Sequence, residues 1–99
     1  MIKDYEMMII LKPQLSQDEA IQENEKTVSI ILENGGELIK TDVWGKRQLA
    51  YPINKQTEGH YFINYFKLDS DKVKLIQRLY NINETILRFI IIDRQQKRG

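Results

Sequence analysis

Apolar positions alternate with polar ones in four stretches of the chain and recur at helical spacing in two others. From Lys3 to Leu11 the residues are β-formers, and the run stops at Lys12-Pro13 because proline cannot donate to a ladder. Ser16 with Glu19 three residues on lets each side chain satisfy an unpaired amide at a helix start. A first helix is predicted from there, with Ala20, Ile21, Val28, Ile31 and Leu32 on one stripe and Glu19, Glu23, Lys26 and Glu33 opposite. Asn34-Gly35-Gly36 supplies its left-handed stop. Glu37 to Tyr51 is the longest extended stretch and ends at Pro52, and Gly45 within it marks a bulge or bend. The polar residues Asn54 to Gly59 predict a turn and His60 to Phe66 a third strand, so that strands two and three form a hairpin. Asp69 or Ser70 caps a second helix with Val73, Ile76, Leu79 and Tyr80 on one face, closed by Asn81-Ile82-Asn83, and Ile86 to Ile92 is the last strand.

The order βαββαβ is the ferredoxin-like plan of the α+β class, a four-stranded antiparallel sheet with two helices on one face. Alternation places Tyr5, Met7, Ile9 and Leu11 under the helices and Glu6, Met8 and Ile10 on the open side. In strand four it sets Arg88, Ile90 and Ile92 against Leu87, Phe89 and Ile91. A charge does not belong beneath the helices, so Arg88 marks the open face and Ile90 and Ile92 become apolar groups in need of a cover. An apolar open face edged by bases is a candidate contact surface for protein or RNA, the alternative being an ordinary surface with scattered Ile and Met. Residues 1–93 are expected to form the domain, and 94–99 a basic, flexible tail with no apolar anchor.

Composition narrows the chemistry. Ninety-nine residues, 41% hydrophobic and 29% charged, suffice for one core but hardly for a deep enclosed active site as well. With no Cys there is no disulfide, no Cys-ligated zinc and no thiol nucleophile, and the single His60 cannot build a multi-histidine metal centre. No metal and no cofactor are expected. Acids at Asp4 and Glu6 and the lack of any long apolar run argue against a leader or a membrane span, so a soluble, intracellular protein is expected. His60 and Glu58 read as a solvated hairpin end, and no phosphate loop, nucleophile elbow or carboxylate cluster occurs, which points away from an enzyme.

Net charge is only +1, but residues 1–43 carry 9 acids and 4 bases whereas residues 44–99 carry 5 acids and 11 bases. Such polarity suits a protein that meets a polyanion with one face, although solvated helix faces produce the same imbalance by chance. Bases and aromatics interleave from Trp44 to Lys55. Adjacent residues of a strand point to opposite faces, so Lys46 and Arg47 cannot both lie beneath the helices. Either the arginine meets phosphate and an aromatic stacks on a base, or Trp44 is core and the bases guard an edge strand. Gly59 to Phe66 matches the aromatic octamer of RNA-recognition motifs poorly, with Glu58 and Tyr61 where a base and a small residue are wanted.

The whole chain resembles one family, the bacterial-type small-subunit ribosomal protein S6. The likeness runs from Tyr5-Glu6, an apolar run and Pro13, through Gly35-Gly36, to Trp44-Gly45-Lys46-Arg47-Gln48-Leu49-Ala50-Tyr51-Pro52-Ile53 with Lys55, Gly59 and Tyr61, and ends at Leu87-Arg88-Phe89. The resemblance implies a non-enzymatic protein that binds ribosomal RNA of the small subunit's central domain together with the small basic ribosomal protein S18. It implies a ribosomal location, cytoplasmic or in a plastid, and a monomer in the absence of that partner. Carried over by position, Arg47 and Arg88 are the RNA-contacting bases, supported by Lys3, Lys46, Lys55 and Arg94. Met8, Ile10, Ile90, Ile92, Lys97 and Arg98 form the expected partner surface. Asp4 stands where a base is common in the family, and the tail after strand four is short. The rival reading is a ferredoxin-like sensor module that pairs with its own copy and holds a small metabolite.

Overall fold

The computed structural model describes residues 1–94. The elements are β1 (Ile2–Leu11), α1 (Gln17–Glu33), β2 (Glu37–Ile53), β3 (Gln56–Asp69), a 3-10 turn (Ser70–Lys72), α2 (Val73–Asn81) and β4 (Ile86–Asp93). They form one antiparallel sheet in the order β2-β3-β1-β4. The ferredoxin-like expectation holds, and the two longest strands, β2 and β3, make a hairpin along one side.

Local chemistry sets the boundaries. The Ser16 hydroxyl accepts from the Glu19 amide at 3.1 Å, while the Ser16 amide donates to Glu19 Oε1 at 2.8 Å. At the other end of α1, Gly35 takes φ +84° and the amides of Gly36 and Gly35 donate to the carbonyls of Ile31 and Leu32, which closes the last turn. The second helix starts less directly than expected. Asp69 accepts from the Asp71 amide at 3.0 Å and opens the 3-10 turn that runs into α2.

The turn between β2 and β3 is tighter than its polar sequence suggests. Only Asn54 and Lys55 turn, with φ 49° and 67°, and Ile53 pairs with Gln56 across them. Gln56 to Gly59, expected as loop, belong to β3. Thr57 and Glu58 are exposed, so their polarity is compatible with a ladder.

The core lies between sheet and helices. Tyr5, Met7, Ile9 and Leu11 of β1 are buried as predicted, with Phe62, Phe66 and Leu68 of β3, Ala20, Val28 and Ile31 of α1, and Ile76 and Tyr80 of α2. Tyr80 donates its hydroxyl to the Thr27 carbonyl at 2.6 Å and packs edge-on against Phe89, which ties the two helices to β4. Burial pushes the Tyr80 phenol well above its ordinary pKa. Leu32, placed on the buried stripe by its spacing, is exposed instead, and Asn24 and Thr27 occupy that stripe. Asn24 and Asn64 exchange two amide bonds at 3.1 and 2.9 Å, and Thr41 donates to Asn64 Oδ1 at 2.7 Å.

Two register shifts re-aim side chains. Val43 pairs with Phe62 and Gly45 with Tyr61, so Trp44 is an extra residue at a bulge. Between Ile10 and Leu11 the pairing on β4 jumps from Arg88 to Ile86, which leaves Leu87 between ladder positions. Ile86 and Phe89 therefore both pack on the core, whereas strict alternation had put Leu87 there.

Candidate nucleic-acid and partner interface

The face of the sheet away from the helices carries the candidate site. Tyr61, Ile63 and Tyr65 of β3 point there, since their neighbours Phe62, Asn64 and Phe66 fill the core. The bulge matters most at Trp44. Gly45 takes φ +84°, a conformation that suits a residue without Cβ, and the preceding Trp44 is left 46% exposed. Its ring stacks against Tyr61 at 6.3 Å with planes 14° apart, and the Arg47 guanidinium lies over it at 5.0 Å. Arg47 Nε also donates to the Trp44 carbonyl at 3.2 Å. The core role considered for Trp44 is therefore corrected: the ring belongs to the surface.

Lys46 and Arg47 do separate as adjacent strand residues must. Arg47 pairs with Gly59 on the open-face phase of Gly45 and Tyr61, and Lys46 pairs with His60 on the opposite phase. Both are exposed.

A second irregularity brings Arg88 into the same surface. Gln48 pairs with Glu58 and Ile53 with Gln56, so Leu49 to Pro52 bulge out of the ladder. Tyr51 thereby reaches β4 on the far side of the sheet, where Arg88 Nη1 donates to its hydroxyl and the guanidinium lies 5.9 Å from the ring centroid. Beneath this span is a cavity of about 210 Å³ lined by Met8, Ile10, Leu49, Ile53, Tyr61 and Ile90 among others. The chain thus covers part of its own open face. Ile10, expected as partner surface, is only 5% exposed and offers a partner little, whereas Ile90 is exposed and Met8 and Ile92 are half-buried.

The other end of the open face is charge-compensated. Lys67 faces Asp4 at 4.0 Å and Lys40 faces Asp42 at 3.9 Å. Lys40 Nζ lies 4.8 Å from the Tyr65 ring centroid and the Arg94 guanidinium 5.3 Å from it. Lys3 stands apart from the other bases. It shares the phase of Tyr5 and Met7, on the helix side, and pairs with Asp93 at 3.4 Å. Lys55 sits exposed at the hairpin tip, while Lys97 and Arg98 lie outside the described residues. Sequence reasoning passed over Tyr65 and Lys40, although the β3 alternation carried the signal for the tyrosine.

The family model for ribosomal protein S6 matches residues 4–93. The chain belongs to the ribosomal protein S6 family. It is 43% identical to the small ribosomal subunit protein bS6 of Thermoanaerobacter pseudethanolicus over 92% of this chain and 96% of that one. It is 40% identical to its counterpart from Corynebacterium jeikeium over 96% and 100% of the two chains. The crystal structure of the 30S ribosomal protein S6 from Thermotoga maritima superposes with a TM-score of 0.89 at 29% identity, covering 97% of this chain and 91% of that one.

Membership in the S6 family makes this a small-subunit ribosomal protein, a component of a ribonucleoprotein engaged in translation. The segment from Trp44 to Ile53, on which the family resemblance chiefly rested, contributes Trp44, Arg47, Leu49, Tyr51 and Ile53 to this surface. His60 has a different part from the one expected: it is 3% exposed, not solvated, and its Nε2 donates to the Leu15 carbonyl at 2.7 Å. It anchors the loop before α1. Among the described residues no group of three or more His, Asp or Glu side chains could hold a metal, and no helix is long and apolar enough to cross a membrane.

Proposed function

We propose that this S6-family chain binds ribosomal RNA of the small subunit's central domain as one half of a heterodimer with the basic ribosomal protein S18, in a purely structural, non-enzymatic role in platform assembly. The observation that carries the reading is the placement of Arg47 and Arg88. They come from β2 and β4, at opposite edges of the sheet, yet share the open face, each lying on an aromatic ring. Neither has an acidic ion-pair partner among the described residues, whereas the lysines at the other end of the face do. Guanidinium groups held in place and left without carboxylates are suited to bidentate phosphate contacts.

In this reading Lys46 and Lys55 add charge along the hairpin, while Lys3, on the helix side and paired with Asp93, and Arg94, over Tyr65 at the compensated end, lie apart from the arginine end. The partner takes the apolar groove beside Met8 and Ile90, with Ile92 next along the same face. A chain of net charge +1 leaves most of the counterion release to its basic partner. The test is binding of the full chain to a central-domain rRNA fragment, with and without S18, at two salt concentrations. Tight, salt-sensitive binding that needs S18 is the expected result. A stable homodimer on gel filtration with no affinity for the fragment in either case would return the chain to the sensor-module reading.

A further inference from the structure

Trp44 is the extra residue of the β2 bulge, between the Val43–Phe62 and Gly45–Tyr61 pairs. Trp44 keeps 46% of its surface exposed, yet its orientation is fixed from behind by Tyr61, whose ring plane lies 14° from its own. Two near-parallel rings present a flat π surface. The apolar cavity lies to the side of the stack, with Tyr61 forming its wall but Trp44 outside its lining. Two bases follow within three residues, Lys46 and Arg47, and the nearest acid in sequence, Asp42, is engaged by Lys40. A flat ring under the Arg47 guanidinium, which no carboxylate among the described residues pairs, matches a nucleotide, whose base is planar and whose phosphate is anionic, better than it matches a protein side chain.

We propose that the Trp44 ring, backed by Tyr61, is a stacking platform for one unpaired nucleobase, and that Arg47 clamps the phosphate of that nucleotide. This deepens the rRNA-binding reading and rests on it. In the free protein the Arg47 guanidinium occupies the place over the ring, held there by an exposed cation–π contact and one bond to the Trp44 carbonyl. Both are weak in water, and a phosphate offers the same group a charge-assisted, bidentate partner. The arginine exchanges ring for phosphate and the base takes over the vacated π face. Arg47 thereby keeps the indole ordered until RNA arrives.

Trp44 is the chain's only tryptophan, so it reports on itself. Three proteins are compared, the wild-type chain, Trp44→Phe, which keeps a flat ring, and Trp44→Leu, which keeps only apolar bulk. Each is titrated with the central-domain rRNA fragment in the presence of S18. Expected are quenching of the wild-type indole emission on RNA addition and affinity of Trp44→Phe within a few-fold of wild type. Trp44→Leu should lose roughly 5- to 150-fold, the range found when one stacked base loses its aromatic partner. The slope of affinity against salt should be the same in all three, because stacking releases no counterions. Wild-type binding with unquenched emission and an unaffected Trp44→Leu would overturn the platform and leave the rRNA reading standing. Weaker association of Trp44→Leu with S18 in the absence of RNA would make the ring a protein anchor instead. Absence of wild-type binding would overturn both readings, and the quenching measurement stands even if the leucine variant folds poorly.

Discussion

Asn64 is fully buried, and all that makes this tolerable is a set of hydrogen bonds drawn from three elements, Asn24 on α1, Thr41 on β2 and Asn64 itself on β3. Asn64→Ala would strand the Asn24 amide without water or partner, at an expected cost of about 2–4 kcal/mol in urea unfolding. Replacing both asparagines by leucine should recover most of that loss, since no buried amide then remains unpaired. A single variant no worse than the double would contradict this. Glu19 gives a pH signature. Its bonds from the Ser16 amide and hydroxyl hold its carboxyl below the ordinary value of 4.5. A lowered folded-state pKa stabilises above the unfolded value and is lost as pH falls through the folded one. Acid unfolding should therefore show a contribution below about pH 4.5 that Glu19→Gln removes. Residue roles were the least legible part of the sequence. Asn24 stands four residues after Ala20 and four before Val28, so its burial was readable from spacing, but its polarity spoke for the surface. His60 looked solvated because nothing local announces a bond to a carbonyl 45 residues away.

The elements themselves were readable, because their signals are local. The Ser16–Glu19 box, the Asn34-Gly35-Gly36 stop and the alternation of β1 all recur in the structure as anticipated. The irregularities were legible where a glycine marked them and hidden elsewhere. Gly45 signalled its bulge, whereas the excursion of Leu49 to Pro52 and the shift at Leu87 depend on what the partner strand offers, which composition does not encode. These two unsignalled departures shape the site, since the first sends Tyr51 across the sheet to Arg88. Gly45→Ala tests the element directly. A Cβ there meets no neighbour, so the penalty is the positive φ alone, about 1–2 kcal/mol, read as a lower melting temperature. An unchanged midpoint would mean that the bulge relaxes without cost.

At the scale of the whole molecule, the sequence disclosed the topology and the polarity of charge but not how that charge is arrayed. The acid-rich first half and base-rich second half do not become two sides of the protein, because the antiparallel order interleaves them as β2-β3-β1-β4. What emerges instead is a gradient along the open face. Lysines are matched by carboxylates at one end, and Arg47 and Arg88 rest on rings at the other. That gradient is why RNA binding is proposed at the arginine end.

The most direct measurement is the affinity of the doubly substituted Arg47→Ala, Arg88→Ala chain for the central-domain rRNA fragment with S18 present, followed across salt. Both side chains are exposed, so the variant should melt within a few degrees of wild type. It should bind markedly more weakly, with a salt slope reduced by about 2, one for each phosphate that an arginine no longer neutralises. Unchanged affinity and slope in a folded double variant would show that the RNA lies elsewhere on the protein.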